Sequence, residues 1–320
     1  MLLEWHIRVL LLKTIFYRHQ NEALDKEEKY AIMKKMRKEK GRTEMKIAII
    51  SDIHGNLEAL KATLEDIKRK KVDKIYCLGD IIAKGIHPKE CIQLIREHCG
   101  VVIQGNTDEY FSKEHFLEEK AEIEAKRIQW NQSLISKEDR AYLLNLPFCH
   151  EFYLSGRLVR LFHATPKVNN KAIINQDMPY IKYEMFEPTE NTISNQVADV
   201  VIYGHIHHQY MDKIYNKTLI NVGSVGNSFD AIRNPKKDGN VLETTCANYV
   251  IIKGEEESKT QGEISFEFVR VPYEIEKELE EEKINIEAEN YRYELQNGMY
   301  RNMDKINENF RKIGIDTNQI

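Results

Sequence analysis

Three histidines stand within four positions of the stretch YGHIHHQY at 203–210, directly after the apolar run at 200–202. Imidazole is a frequent metal ligand and a proton carrier near neutral pH. Successive side chains of an extended segment point to opposite faces. His205 and His207 are therefore predicted to share one side, and His208 to point to the other. The stretch thus predicts two chemically active histidines and one bystander.

Metal-type ligands also follow four other apolar runs, usually beside a glycine. The runs KIAIIS, KIYCL, VVIQ and RLVRLF are each typical of a short buried strand, and each leads directly into a carboxylate, an amide or an imidazole. In chain order these residues are Asp52 and His54, Asp80, Asn106, and His163. Any one of them alone is compatible with an ordinary turn or a packed strand end. Five such runs in one chain are hard to attribute to chance.

These seven residues are expected to meet at one site. Ligands of open α/β sheets bind beyond the carboxyl ends of the strands, and alternation places Asp52 and His54 on a common side. The neighbouring glycines allow sharp turns and close backbone approach. Imidazoles, carboxylates and an amide oxygen in this number exceed what one ion needs. They suit two octahedral divalent ions held close together.

The segments that must position these ligands alternate between strand and helix from Met45 onward. Asn56 is placed to cap a helix whose apolar residues recur at spacings of three and four. Ser155-Gly156 is typical of a hairpin turn between two strand-like runs. Residues 226–244 form a polar stretch that is long enough for a substrate loop or lid. The predicted fold class is α/β.

Composition excludes several function classes. A formal net charge of −4 argues against a nucleic-acid binder, and no GxGxxG follows the first strand, which excludes a Rossmann-type nucleotide binder. The five cysteines form no CxxC pair, so a reducing cytoplasm is expected. The apolar start of the chain is too short and too charged for a membrane span.

Three regions are predicted along the chain. Residues 1–44 form a basic extension, interpreted as a disordered tail or an upstream-start artefact, with an amphipathic helix on a membrane surface as the alternative. Residues 45–272 form the main domain and carry every candidate ligand. Residues 273–320 are acidic helices that pack on this domain or extend it.

The ordered motifs resemble those of the calcineurin-like metallophosphoesterase superfamily. Its pattern is D-x-H, G-D, G-N, H and G-H-x-H, matched within residues 45–272 by Asp52, His54, Gly79, Asp80, Gly105, Asn106, His163, Gly204, His205 and His207. Val271-Pro272-Tyr273, leading into an acidic helix, is similar to a small bacterial branch of phosphodiesterases and asymmetric diadenosine tetraphosphate hydrolases. The resemblance implies a four-layer αββα sandwich of two mixed sheets flanked by helices, with a helical C-terminal extension.

The resemblance also implies a role for each ligand. One divalent ion would be held by Asp52, His54 and His207, and a second by Asn106, His163 and His205, with Asp80 bridging. A metal-bridging hydroxide would attack phosphorus in line, and the catalytic group would be Asp80, Asn106 and His205. Two Mn²⁺ ions are the favoured cofactors, with Fe, Zn, Ni and Mg as alternatives.

Thr107 departs from a common family pattern, in which a histidine after G-N protonates the leaving group or steadies the phosphate. A hydroxyl is no general acid near neutral pH, and losing such an acid typically costs about 10²- to 10⁴-fold when the leaving group needs a proton. Phosphodiesters and phosphoanhydrides with acidic leaving groups, including dinucleoside polyphosphates, are therefore the favoured substrates. Asn106, Thr107 and Ser224 are candidate substrate contacts, the last in a segment that resembles the family's N-P-G-S loop.

Two other functions stay open. The first is a serine/threonine or small-molecule phosphomonoesterase. The second is a non-catalytic binding scaffold of the same fold, against which the complete ligand set argues. The expected partner is a phosphorylated small molecule or a nucleotide. No stable nucleic-acid partner is expected, and homo-oligomerisation is left open.

Overall fold

A computed structural model of the 320-residue chain describes residues 44–109, 122–233, 241–243, 246–282, 291–292 and 294–295. Contacts divide the chain into two units, Met1–Glu44 and Met45–Ile320. The predicted basic extension lies outside the described residues except for Glu44, and the three predicted regions stay a prediction. Among the described residues, no helix is both long and apolar enough to cross a membrane.

Strands and helices alternate from residue 44 to residue 109, as expected, whereas the strands described between residues 200 and 272 follow one another without a described helix between them. In chain order the strands are β1 Glu44–Ile50, β2 Lys74–Cys77, β3 Val101–Val102, β4 Cys149–Leu154, β5 Arg157–Phe162, β6 Val200–Tyr203, β7 Tyr210–Ile214, β8 Lys217–Asn221, β9 Phe229–Arg233, β10 Val241–Glu243, β11 Cys246–Glu255 and β12 Ser265–Pro272. The helices are α1 Leu57–Arg69, α2 Pro88–His98, α3 Asn106–Glu109, α4 Glu122–Leu134, α5 Lys137–Leu144, α6 Pro179–Tyr183 and α7 Ile275–Glu282, with a 3₁₀ turn at Glu184–Phe186.

Two five-stranded mixed sheets form the framework. The first has the order β12-β11-β1-β2-β3, in which β1, β2 and β3 run parallel and β11 pairs antiparallel with β12. The second has the order β4-β5-β6-β8-β7, in which β5, β6 and β8 run parallel between antiparallel edge strands. The predicted α/β class with two mixed sheets and flanking helices is thus confirmed.

β1 shows why these strands lie between two layers. Residues 47–50 are almost wholly buried although their side chains point alternately to two faces. One face packs against α1 and α2, through Ala48 among others. Beyond the other face, the ring of Tyr76 in β2 lies 5.5 Å from the rings of both His150 and Phe152 in β4. The two sheets therefore pack face to face, and a continuous apolar run is what a strand covered on both sides requires.

Local signals placed the first helix and the hairpin correctly. The Asn56 side chain accepts the N–H of Ala59 at 2.9 Å and caps α1. Ser155 and Gly156 both have positive φ, and they join β4 and β5 into an antiparallel pair. Both features depend on neighbouring residues, which is why the sequence shows them.

The polar stretch 226–244 differs from its prediction as a loop. Within it β9 pairs antiparallel with β10, with Phe229 opposite Glu243 and an irregular register between Val241 and Leu242. Strand pairing of this kind is made by backbone hydrogen bonds, which polar residues form as well as apolar ones. The polar composition of the stretch therefore did not reveal this two-stranded sheet.

Candidate metal centre

The predicted ligands all follow strands of the two sheets, at the carboxyl ends. Asp52 and His54 follow β1, Asp80 follows β2, Asn106 begins α3 after β3, His163 follows β5, and His205 and His207 follow β6. β1, β2 and β3 are parallel neighbours in the first sheet, and β5 and β6 are parallel neighbours in the second. In each sheet the carboxyl ends of these strands therefore lie along one edge. The structure brings all seven side chains together, as the contacts below show.

The backbone at five of these residues corrects the argument from strand alternation. Each has a left-handed conformation, with φ of 54° at Asp52, 52° at His54, 52° at Asp80, 68° at His205 and 59° at His207. Such a conformation costs a residue with a side chain roughly 1–2 kcal/mol, and backbone strain of this kind clusters at functional sites. The side chains do converge, but from tight turns and not from extended strands.

Asp52, His54 and His207 form a compact group, the first half-site. His54 Nε2 lies 3.0 Å from His207 Nε2, and Asp52 Oδ1 lies 3.2 Å from the same His207 atom. The Nδ1 atoms of the two rings face carbonyl oxygens, that of Ile82 at 3.2 Å and that of Asn227 at 2.7 Å. A carbonyl oxygen only accepts, so Nδ1 of each ring carries a hydrogen, and each ring presents a lone pair at Nε2 once that nitrogen is deprotonated. Two lone pairs and a carboxylate oxygen converge, which is how a cation is bound.

Asp80, Asn106, His163 and His205 form the second half-site. His163 Nε2 lies 3.0 Å from Asn106 Oδ1 and 3.4 Å from Asp80 Oδ1, and His205 Nδ1 lies 2.9 Å from the same Asn106 oxygen. The other nitrogen of His163, Nδ1, is 2.8 Å from the carbonyl oxygen of Leu78. His163 therefore repeats the arrangement of the first half-site, in which a backbone carbonyl fixes the tautomer and Nε2 faces the centre.

Asp80 and Asp52 connect the two half-sites. The Asp80 carboxylate directs Oδ2 to within 3.7 Å of His54 Nε2 and Oδ1 to within 3.4 Å of His163 Nε2, so its two oxygens face different groups. Asp52 has a ligand atom within 4.8 Å of those of His54 and His207, and equally of those of Asp80 and His163. A carboxylate with one oxygen toward each group has the geometry of a bridging ligand.

The charge balance of the centre favours cations. Burial alone would raise the pKa values of Asp52 and Asp80, yet the facing imidazoles hold both well below the usual range. Burial opposes protonation of His163, but the charges of Asp80 and Asp52 raise the pKa of that imidazole to about 10. Asp52 Oδ1 is buried and has no hydrogen-bond partner among the described residues. Since a buried carboxylate oxygen without a partner is costly, this donor set fits divalent metal ions.

Two histidines of the centre, His54 and His205, are held neutral. Burial, followed by the positive charge of Lys84, keeps the pKa of His54 well below its usual range. Burial, followed by the charge of His163, lowers the pKa of His205 to about 4. Neutral imidazoles at neutral pH are the form that binds a metal.

Asp108 organises the turns that carry two of the ligands. Its carboxylate is fully buried and accepts the backbone N–H groups of Asp80 at 2.8 Å, Ile81 at 3.0 Å and Gly105 at 3.0 Å. From the sequence alone, Asp108 is an ordinary acidic residue in the first turn of a helix. Its position two residues after Asn106 was the available signal, but the donors on the neighbouring turn follow only from the fold.

The two remaining candidate substrate contacts lie in scaffold positions. The Thr107 hydroxyl donates to the carbonyl oxygen of Ile82 at 3.1 Å, and its N–H donates to Asp80 Oδ1 at 2.8 Å. The Ser224 hydroxyl is fully buried and donates to the carbonyl oxygen of Asp52 at 2.7 Å. Direct contact of either hydroxyl with substrate stays a prediction, and these positions favour a supporting role instead.

His208 lies apart from the half-sites, as expected. Its ring stacks on Tyr210, with centroids 6.0 Å apart and planes inclined by 21°. Only 9% of the residue is exposed. The division of the histidine stretch into two converging residues and one packing residue therefore holds in the structure.

Comparison with known proteins places these features in a family. Residues 45–244 match the Calcineurin-like phosphoesterase superfamily domain. The uncharacterized protein MJ0912 of Methanocaldococcus jannaschii is 33% identical over 249 residues, which cover 73% of this chain and 90% of that protein.

Solved structures show the same fold. A metallophosphoesterase from Sphaerobacter thermophilus superposes with a TM-score of 0.57 at 23% identity, covering 80% of this chain and 99% of the other. The hypothetical protein PH1004 from Pyrococcus horikoshii superposes with a TM-score of 0.62 at 17% identity, covering 78% and 97%. The domain match over more than half of the chain and the M. jannaschii relative show that the chain is a phosphoesterase that belongs to the calcineurin-like phosphoesterase superfamily.

Proposed function

We propose that the protein is a dinuclear-metal enzyme that hydrolyses phosphodiester or phosphoanhydride bonds, including those of dinucleoside polyphosphates. The observation that carries this proposal is the pair of buried half-sites linked by Asp52 and Asp80. Two ligand groups that share carboxylates suit two adjacent ions, which is the arrangement that stabilises both the attacking and the leaving oxygen of an in-line displacement.

The proposed metal ligands divide as the half-sites do. The first ion would be held by Asp52, His54 and His207, and the second by Asn106, His163 and His205, with Asp80 between them. When bound, two divalent ions would supply Lewis-acid charge and an activated water. Mn²⁺ is the favoured ion, with Fe, Zn, Ni and Mg as alternatives. Carboxylate ligands suit Mn²⁺ and Mg²⁺, and imidazole ligands suit Fe, Zn and Ni.

Within the proposed catalytic group, Asp80, Asn106 and His205 have different tasks. Asp80 holds the half-sites at a fixed spacing through its two oxygens. Asn106 directs its oxygen toward the second half-site, which leaves its amide N–H groups to donate to a phosphate oxygen. His205 has a pKa of about 4 and is therefore neutral at pH 7, so it serves as a ligand and not as a proton donor.

Thr107 carries the substrate preference. Its hydroxyl is bonded to the carbonyl oxygen of Ile82 and only 7% of the residue is exposed, so no side-chain acid stands at this position. Without such an acid, a leaving group that departs as a stable anion reacts with little penalty, whereas an alkoxide loses about 10²- to 10⁴-fold. Aryl phosphates, phosphodiesters with acidic leaving groups and phosphoanhydrides meet this condition.

An activity panel tests the substrate class. The metal-free protein should be reconstituted with Mn²⁺, Mg²⁺, Zn²⁺ or Fe²⁺ and offered bis-p-nitrophenyl phosphate, p-nitrophenyl phosphate, diadenosine tetraphosphate and a phosphoserine peptide. We expect kcat/KM to be highest for the diester or the tetraphosphate. Equal or faster turnover of the phosphopeptide would contradict the substrate preference.

A serine/threonine or small-molecule phosphomonoesterase is the alternative within the enzyme class, and the same panel separates it. A non-catalytic scaffold is the more distant alternative. It predicts no turnover of any substrate with any metal. The protein as proposed turns over substrate with metal bound, and it loses that turnover when Asp80→Asn removes the charge between the half-sites.

The proposed setting follows from the cysteines and the substrates. All five cysteines are free thiols, so we propose a cytoplasmic location, where thiols stay reduced. The partner would be a phosphorylated small molecule or a nucleotide. Light scattering would establish whether the protein forms a homo-oligomer.

A further inference from the structure

Tyr291 and Glu294, in the last described part of the chain, contact the loops next to the first half-site. Residues 291, 292, 294 and 295 are helical, and Tyr291 and Glu294 are only 1% and 4% exposed. Leu295 and Tyr291 pack with Leu279 of α7 in a small apolar cluster. Through Glu58 of α1, which contacts Lys277 at 2.8 Å, α7 is itself tied to the main domain. Glu294 is thus a buried carboxylate held in a fixed position.

Tyr291 supports the turn next to Asp52. Its hydroxyl accepts from Asn56 Nδ2 at 2.9 Å and donates to the carbonyl oxygen of Gly226. The N–H of Gly226 in turn donates to the carbonyl oxygen of Asp52 at 3.0 Å. Two hydrogen bonds through Gly226 therefore connect the Tyr291 side chain to the backbone of Asp52.

Glu294 links the two loops that orient the histidines of this half-site. Its Oε2 accepts from Asn227 Nδ2 at 3.2 Å and lies 3.6 Å from Lys84 Nζ. Asn227 is the residue whose carbonyl oxygen fixes the His207 ring. Lys84 lies two residues beyond Ile82, whose carbonyl oxygen fixes the His54 ring. Groups that orient metal-binding histidines commonly change metal affinity when they are removed.

The charge of Lys84 makes this arrangement electrostatic as well as geometric. The side chains of Lys84 and Glu294 are 12% and 5% exposed, so water screens them poorly. After burial, the Lys84 charge is the next largest cause of the low pKa of His54. A positive charge that reaches this imidazole would also repel a divalent cation, and the Glu294 carboxylate offsets it.

We propose that Glu294 is a positioning residue for the first half-site, which holds the Asn227 loop and balances the charge of Lys84, and so raises the affinity of that half-site for a divalent cation. The inference rests on the proposed two-metal function and extends it to the C-terminal segment. Lys84 is then part of the support of the proposed metal site through its contact with Glu294.

The test is a charge cycle measured by metal binding. Mn²⁺ binding to the full-length protein is followed by the electron paramagnetic resonance of free Mn²⁺, for wild type, E294Q, K84M and the double variant E294Q/K84M. Each is also measured with His163→Ala, which disables the second half-site, and with His207→Ala, which disables the first. E276Q, the same loss of charge on an exposed carboxylate of α7, is the matched control.

The expected affinities follow the local charge. In the His163→Ala background, E294Q should weaken Mn²⁺ binding by about 10- to 100-fold, K84M should tighten it, and E294Q/K84M should return it close to wild type. E276Q should have no effect, and E294Q should have none in the His207→Ala background. Thermal unfolding of the metal-free variants checks that each is folded.

Distinct outcomes separate this inference from the function on which it rests. Wild-type protein that binds fewer than two ions overturns the two-metal proposal itself. Wild type with two ions and E294Q with unchanged affinity overturns only the role of Glu294. If E294Q/K84M binds Mn²⁺ as weakly as E294Q does, the contact is purely structural, and this result also overturns the proposed role of Glu294. Should E294Q not fold, K84M alone decides, since unchanged or weaker binding contradicts the charge argument.

Discussion

Asp108 illustrates at the scale of single residues how much of this centre is built from groups that need not touch a metal. Its carboxylate receives three backbone N–H groups, of which two belong to the turn that carries Asp80. Burial and the charge of Asp80 raise the pKa of Asp108 to about 7. The Asp80 turn is thus held by hydrogen bonds to the Asp108 carboxylate. Burial and the charge of Asp80 disfavour the charged form of that carboxylate.

Replacing Asp108 by asparagine should loosen this turn. The amide places an N–H where an oxygen now accepts a backbone N–H, so at least one donor is left without a partner. We expect metal affinity or kcat/KM to fall by about 10- to 100-fold, measured by Mn²⁺ titration and by diester hydrolysis. Glu138→Gln, on an exposed carboxylate of α5, is the control. An unaltered Asp108→Asn protein would show that the turn does not need the carboxylate.

Proton release on metal binding tests the electrostatics of His163. In the metal-free protein its pKa is about 10, so at pH 7 the ring carries a proton that an ion must displace. Each proton released makes the affinity rise about tenfold per pH unit, so Mn²⁺ binding should strengthen from pH 6 to pH 8. Calorimetry in buffers of different ionisation enthalpy should detect close to one proton released from this ring. Affinity independent of pH over this range would contradict a raised pKa for His163.

At the scale of elements, the turns after β2 and β3 are packed against each other too closely for a side chain. A Cβ at Gly105 would lie 2.2 Å from the backbone nitrogen of Asp80 and 2.2 Å from its Oδ1. This contact explains why a glycine precedes Asn106. It also ties the position of the Asp80 carboxylate to that of the Asn106 side chain.

Gly105→Ala should therefore damage both stability and metal binding. Overpacking of this kind typically costs about 1–3 kcal/mol, measured as the free energy of unfolding in urea, and metal analysis should show lost occupancy. Gly100→Ala is the matched control because a Cβ there meets nothing within 4 Å, and its effect should stay within about 0.5 kcal/mol. Equal behaviour of the two variants would rule out the close approach.

At the scale of the whole molecule, metal ions should stabilise the fold, because both half-sites join distant parts of the chain. The first half-site brings together residues that follow β1 and β6 in different sheets. An ion present at about 100 times its Kd stabilises the folded state by about 2.7 kcal/mol per site. Removing metal with a chelator should lower Tm, and adding Mn²⁺ should restore it. A Tm that does not respond to Mn²⁺ would contradict binding at these residues.

The motifs predicted which side chains meet, because each lies directly after an apolar run that the sequence marks as a strand. Their conformations were not predictable, since the left-handed backbone at Asp52 or His205 is fixed by hydrogen bonds from other turns, such as His205 N–H to Asp52 Oδ2 at 2.9 Å. The contributions of Asn227 and Glu294 were also missed. Both depend on tertiary contacts with loops far away in the sequence, for which no local pattern exists.

The central claim is that one chain holds two divalent ions between the two sheets. Its most direct test is anomalous diffraction from crystals soaked in Mn²⁺. We expect two anomalous peaks per chain, one among Asp52, His54 and His207 and one among Asn106, His163 and His205, with Asp80 between them. A single peak, or peaks away from these residues, would contradict the two-metal account.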